Sequence, residues 1–136
     1  MSYINAYTFE VTGNNDEPIE VSLRLDIGAQ LALQKKWNET TGDTLSGAMQ
    51  GTDRFVDVLT KALNYRGNHN KISQGTDLAD LLIENGMLGM KARATLINNI
   101  ARVSGIYDDD EFNAIEKRVA DSLKEVFSSD DESKNA

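Results

Sequence analysis

The hydrophobic spacing of this chain changes period once, near Leu25, and that change limits the folds open to it. Before it, apolar residues alternate. In "YTFEV", Tyr7, Phe9 and Val11 share one face and Thr8 and Glu10 the other. In "IEVSLRL", Ile19, Val21, Leu23 and Leu25 alternate with Glu20, Ser22 and Arg24. The intervening "TGNNDEP" supplies turn residues, with Gly13 and Asn14 suited to a positive φ. Two period-two runs around a turn predict a β-hairpin over residues 1–25. A lone hairpin is marginal in water, so its apolar face must pack on something else.

After Leu25 the spacing is helical. Asp26 is placed to cap a helix carrying Leu31, Leu33 and Trp37 and ending near Gly42, and "TLSGAM" reads as one short turn. Asp53 opens a second helix whose Phe55, Val58, Leu59, Ala62 and Leu63 form one stripe, with Gly67 as its stop. Thr76 or Asp77 caps a third, with Leu78, Leu81 and Leu82, halted at Gly86. A fourth, over 91–104, turns Ala94, Ile97, Ile100 and Ala101 inward and ends at Gly105. In the fifth, Asp108 and Glu111 have capping-box spacing, and Phe112, Ile115, Val119, Leu123 and Val126 recur at three- and four-residue steps. The expected fold is therefore α+β, predominantly α-helical: an N-terminal β-hairpin followed by about five helices. One globular domain covers 1–127, helical over 26–127, and residues 128–136 form an acidic tail expected to be disordered.

Composition removes several kinds of chemistry. With no cysteine and one histidine, His69, a zinc site of the usual ligand types cannot be assembled, and there is no disulfide framework. His69 lies in the polar loop "NHNKISQG", where a solvated side chain is the simpler reading than a general base. No glycine-rich phosphate loop with its lysine occurs. The run "YDDDEF" lacks the alternating oxygen ligands and glycine of a calcium loop and leads straight into a helix, as N-terminal capping residues do. No catalytic, cofactor-binding or metal-binding residue is assigned, and the chain reads as a non-enzyme without a cofactor. No signal peptide or membrane-length apolar run is evident, so a soluble, cytoplasmic protein is expected.

Charge narrows the partners. Fourteen basic residues against 22 acidic give a net charge of −8, and the cations are scattered as pairs, so a phosphate backbone would be repelled. A helix-turn-helix can be drawn through residues 77–104, presenting Lys91, Arg93, Asn98 and Asn99, but its first helix carries Asp77, Asp80 and Glu84. An ordinary αα-hairpin fits better. What remains is an interaction module with abundant amphipathic surface.

The order of landmarks is similar to that of a known family. An extended "SLRLDIGAQLALQKKWNETTGDTLSGAM" enters a helix with a lysine pair; "FVDVLTKALNY", "DLADLLIENG" and a helix ending "ARVSGI" follow. Over residues 19–106 this layout resembles the tail assembly chaperones of long-tailed phages and related prophages. The Ser104–Gly105 step matches the end of their last-but-one helix, whereas Trp37–Asn38 stands where Leu-Gly is more familiar and leaves open where the first helix ends.

The resemblance implies a non-catalytic, mostly helical protein of the bacterial host cytoplasm, absent from the mature virion. It would coat the tape-measure protein, help recruit tail-tube protein, and self-associate as a homo-oligomer, without nucleic acid or membrane. The residues that touch the client are not given by it. It also implies a longer product made by ribosomal slippage. A Ser133 codon ending in A, then AAA for Lys134 and AAC for Asn135, would spell the slippery heptamer, with the tail as linker. Two other readings of the same sequence are a small DNA-binding regulator and a structural head–tail connector.

Overall fold

The computed structural model describes residues 5–108 and 110–121; the tail at 128–136, Leu123 and Val126 lie outside the described residues. Strands β1 (Tyr7–Thr12) and β2 (Pro18–Leu23) pair antiparallel, with Tyr7 opposite Leu23, Phe9 opposite Val21 and Val11 opposite Ile19. The alternation therefore puts six apolar side chains on one face, with Val11, Val21 and Leu23 fully buried. The turn differs from expectation in detail. Asp16, not Gly13 or Asn14, takes the positive φ, at 58°. At Gly13 an added Cβ would lie 2.6 Å from Ile19 Cδ1, so the end of that side chain would have to shift.

Among the described residues six helices follow: α1 (Ile27–Trp37), α2 (Thr41–Ala48), α3 (Thr52–Leu63), α4 (Gly75–Glu84), α5 (Met90–Val103) and α6, over 110–121. The fold is α+β and mainly helical. Helix α1 stops at Trp37 rather than near Gly42 because Asn38 adopts the left-handed conformation (φ 52°, ψ 47°), doing what glycine does at many helix ends. Asp26 stands at its N-cap position, but its carboxylate accepts from Arg66 N–H at 2.8 Å instead of capping. Leu33 is buried and Trp37 partly so, while Leu31 is 59% exposed. Residues two apart on a helix face different ways, so Leu31 and Leu33 could not share a stripe.

Helix α2 replaces the expected short turn. Thr40 caps it, its hydroxyl accepting from Asp43 N–H at 3.1 Å, and Thr41, Thr44, Leu45 and Ala48 are its buried face. Two of those four are hydroxyl residues satisfied internally: Thr41 accepts from Gln34 at 2.9 Å, and Thr44 donates to Glu39 at 3.0 Å. An apolar period cannot show a face built this way. Arg54 of α3 donates to the same Glu39 carboxylate at 2.8 Å and stacks 4.4 Å from the Trp37 ring, so one cluster joins α1, α2 and α3.

Helix α3 is central, and its predicted stripe is buried in full. It ends at Leu63, ahead of Gly67, where the Asn64 amide takes the Thr60 carbonyl at 2.7 Å. Helix α4 begins at Gly75, so Thr76 and Asp77 lie in its first turn and are not caps. Gly75 donates to Thr60 Oγ1 at 2.8 Å, and a Cβ there would collide with the Val56 carbonyl and Thr60. The ends of α4 and α5 both close by the paired bonds of a Schellman motif. Gly86 bonds to Ile83 O and Met87 to Leu82 O; Gly105 bonds to Arg102 O and Ile106 to Ala101 O.

Two predictions follow from these contacts. Gly75→Ala must push α4 off α3, and a loss of about 1–3 kcal/mol is expected in urea unfolding. The Arg54 hydrogen bond, with a smaller contribution from Thr44, outweighs burial and holds the Glu39 carboxyl below the ordinary carboxylate range. A lowered folded-state pKa stabilises above the unfolded value and is lost as pH falls through the folded one. The stability gap between wild type and Glu39→Gln should therefore be full near neutrality and close on acidification through the carboxylate range.

Candidate functional groove

Helices α2, α5 and α6 do not meet along one line. Between them runs an open groove of about 1080 Å³, lined by Met49 at the end of α2, Leu88 before α5, Met90 and Ala94 on α5, Tyr107, and Ala114, Ile115 and Val119 on α6. Met90 is 73% exposed at its rim. Ser46, Gln50, Arg93, Glu111 and Arg118 supply the polar part of the lining.

The floor is fixed by Arg93. Its guanidinium donates to Ala48 O at 3.0 Å and Gly51 O at 2.9 Å and lies 4.1 Å from the Phe55 ring centroid. It thus serves the Ala48 carbonyl at the C-terminal end of α2, where a cation also complements the helix dipole, and shares the Gly51 carbonyl with Phe55 N–H at the start of α3. Burial pushes its pKa down, though a guanidinium stays charged in any ordinary buffer.

The outer wall is α6. Asp108 caps it as the sequence predicts, its carboxylate accepting from Glu111 N–H at 2.8 Å. On the side toward α5, Asn98 donates to Glu116 at 2.9 Å and to Phe112 O at 3.3 Å, and the Arg102 guanidinium sits 4.7 Å from the Phe112 ring. Positions 111, 114, 115, 118 and 119 recur at helical spacing one step round from 112 and 116, so anchoring one side turns the other into the groove. Phe112, Ile115 and Val119 are only partly buried: the stripe expected to need a partner surface finds an incomplete one within the described residues. Tyr107 also lines the groove. Burial raises the pKa of its hydroxyl, Glu111 adds to the rise and Arg118 opposes it.

The residues singled out for DNA contact are used otherwise. Arg93 is tied to backbone carbonyls, Asn98 is wholly buried, and Asn99 donates to Thr95 O at 2.8 Å; of the four, Lys91 is left exposed. His69 is an exposed loop residue, as read. Among the described residues no group of three or more His, Cys, Asp or Glu stands where it could hold a metal, and no helix is long and apolar enough to cross a membrane. The groove itself could not be assigned from sequence, because its lining comes from α2, Leu88, α5 and α6 together, and only contacts show which positions are left open. In comparison with known proteins, no family model, no curated protein and no solved structure matches this chain.

Proposed function

We propose that this protein is a non-catalytic assembly chaperone of a phage tail, holding amphipathic helices of the tape-measure protein in the groove between α2, α5 and α6. The observation that carries the reading is that groove: open, lined by apolar side chains with a polar share beside them, and walled by a helix with a partly uncovered stripe. A helix laid in a groove is recognised through apolar anchors three and four residues apart, which this lining accommodates. Its methionines, Met49 and Met90, adapt to different apolar side chains, as a protein coating many segments of a long client requires.

The net charge of −8 keeps a crowded coat of copies soluble. Self-association, recruitment of tail-tube protein, work in the host cytoplasm, absence from the finished particle and a longer frameshifted product belong to the same proposal through the family resemblance. A DNA-binding regulator is supported less, since Arg93 and Asn98 are committed inside the fold.

The test is co-expression with the tape-measure protein followed by affinity capture. Ile115→Asp places a charge in the groove at a partly buried position, and captured client should fall about tenfold, the effect of losing one apolar anchor. The unfolding midpoint of the variant alone should stay near that of the wild type. Undiminished capture by a folded Ile115→Asp protein would remove the groove from the proposal.

A further inference from the structure

The hairpin has an edge that the fold closes only in part. In an antiparallel pair alternate residues turn their backbone N–H and C=O toward the partner strand, and the others turn them away. Thr12 donates outward to Asn85 Oδ1 at 2.9 Å and Ser22 outward to Asn70 Oδ1 at 2.8 Å. With the observed register, the outward residues of β1 are therefore Thr8, Glu10 and Thr12. Two side-chain amides imitate a neighbouring strand: Asn85 returns a bond to Thr12 O at 3.1 Å, and Asn70 one to Ser22 O at 2.7 Å. Thr8 and Glu10 have no such cover, and their outward backbone groups make no hydrogen bond to a described residue.

Beside this bare stretch, on the inner side of the sheet, lies an apolar cavity of about 420 Å³. Tyr7 and Phe9 of β1 line it, with Leu82, Met87 and Leu96 from the helical layer and no residue of β2. The outer face of the sheet has the opposite character. Glu10 stands directly across from Glu20, both exposed, and like charges so placed destabilise a pair.

We propose that the β1 edge at Thr8 and Glu10 receives an extended segment of another protein as a third strand, one in which apolar residues alternate with Lys or Arg. The alternation follows from sheet geometry. A residue added opposite Phe9 points as Phe9 does, toward the cavity, while its neighbours point as Thr8 and Glu10 do, beside the two carboxylates. A second copy of this chain is the poorer occupant, because two β1 edges side by side would gather Glu10 and Glu20 of both copies on one face. The site shares no lining residue with the groove, so it stands whether or not the groove holds a helix.

The test is an NMR titration of the ¹⁵N-labelled full chain with a blocked peptide of alternating lysine and valine, seven residues long, against the same peptide with glutamate for lysine. The lysine peptide should shift the Thr8 and Glu10 amides and slow their exchange with solvent, leaving Ala114 and Ile115 unmoved; the glutamate peptide should do neither. Glu10→Lys should weaken the lysine peptide about fivefold and admit the glutamate one, since cross-strand charge pairs carry that much discrimination. Thr8→Pro removes an N–H that the hairpin does not use, so it should abolish binding while the unfolding midpoint is held. The proposal is overturned if neither peptide binds, if both bind alike, or if binding leaves Thr8 and Glu10 unaffected. Protection of those amides that grows with protein concentration alone would put a second copy there and overturn it equally.

Discussion

Helix α3 has to bury Phe55, Val58, Leu59, Ala62 and Leu63, and β2, α1, α2 and α4 are placed against it by meeting that demand. Burying four of those side chains, the alanine aside, is worth about 1.5–3 kcal/mol each relative to exposure, and their sum exceeds what any single polar contact supplies. The polar contacts then set direction. Arg24 N–H reaches Ala62 O at 3.2 Å and lays β2 against the end of α3; Gly75 lets α4 touch its backbone; Glu39 and Arg54 hold α2; and Arg93 lies over Phe55. The hairpin that could not stand alone is stabilised by this helix.

The C-terminal end of α5 is held by a second set of bonds. Leu25 N–H donates to Ser104 Oγ at 2.8 Å, Arg24 to Val103 O at 3.0 Å and Gln30 to Ser104 O at 3.3 Å, so the strand-to-helix junction grips the end of a helix 79 residues further along the chain. With α5 pinned there by its end and by Arg93 near its start, α6 is bonded to it through Asn98 and stacked against it through Arg102. The groove is what this arrangement leaves between the gripped helices and the tethered one. Asn98 marks the tension in it: its amide nitrogen makes two bonds while its buried Oδ1 finds no partner among the described residues.

Much of the fold was legible because apolar side chains carry it. The period-two runs give the strand faces, apolar spacing gives the stripe of α3 residue by residue, Asp108 has the spacing of a cap, and Gly86 and Gly105 mark two helix ends. The failures share a cause. Where a buried face is built from hydroxyls, as in α2, hydropathy is silent; where a carboxylate has a distant suitor, as Asp26 has in Arg66, cap chemistry misleads. Gly75 looked like loop because its role lies in contact with α3, not in its own dihedral angles. The groove and the open strand edge were out of reach for the same reason, since both are defined by which groups lack a neighbour. Within α6, the period showed that a face needed covering and could not show that the cover is partial.

The central claim is that the groove beside α6 receives a helix of a long client. The most direct measurement is photo-crosslinking with a benzophenone amino acid placed at Ala114, in the groove, and in a separate protein at Lys71, outside its lining. Each is co-expressed with the tape-measure protein, and the linked peptides are identified by mass spectrometry. Crosslinks from position 114 are expected to residues spaced three and four apart along the client, with few or none from position 71. Crosslinks from position 71 that equal or exceed those from position 114, or links from 114 without helical spacing, would contradict it.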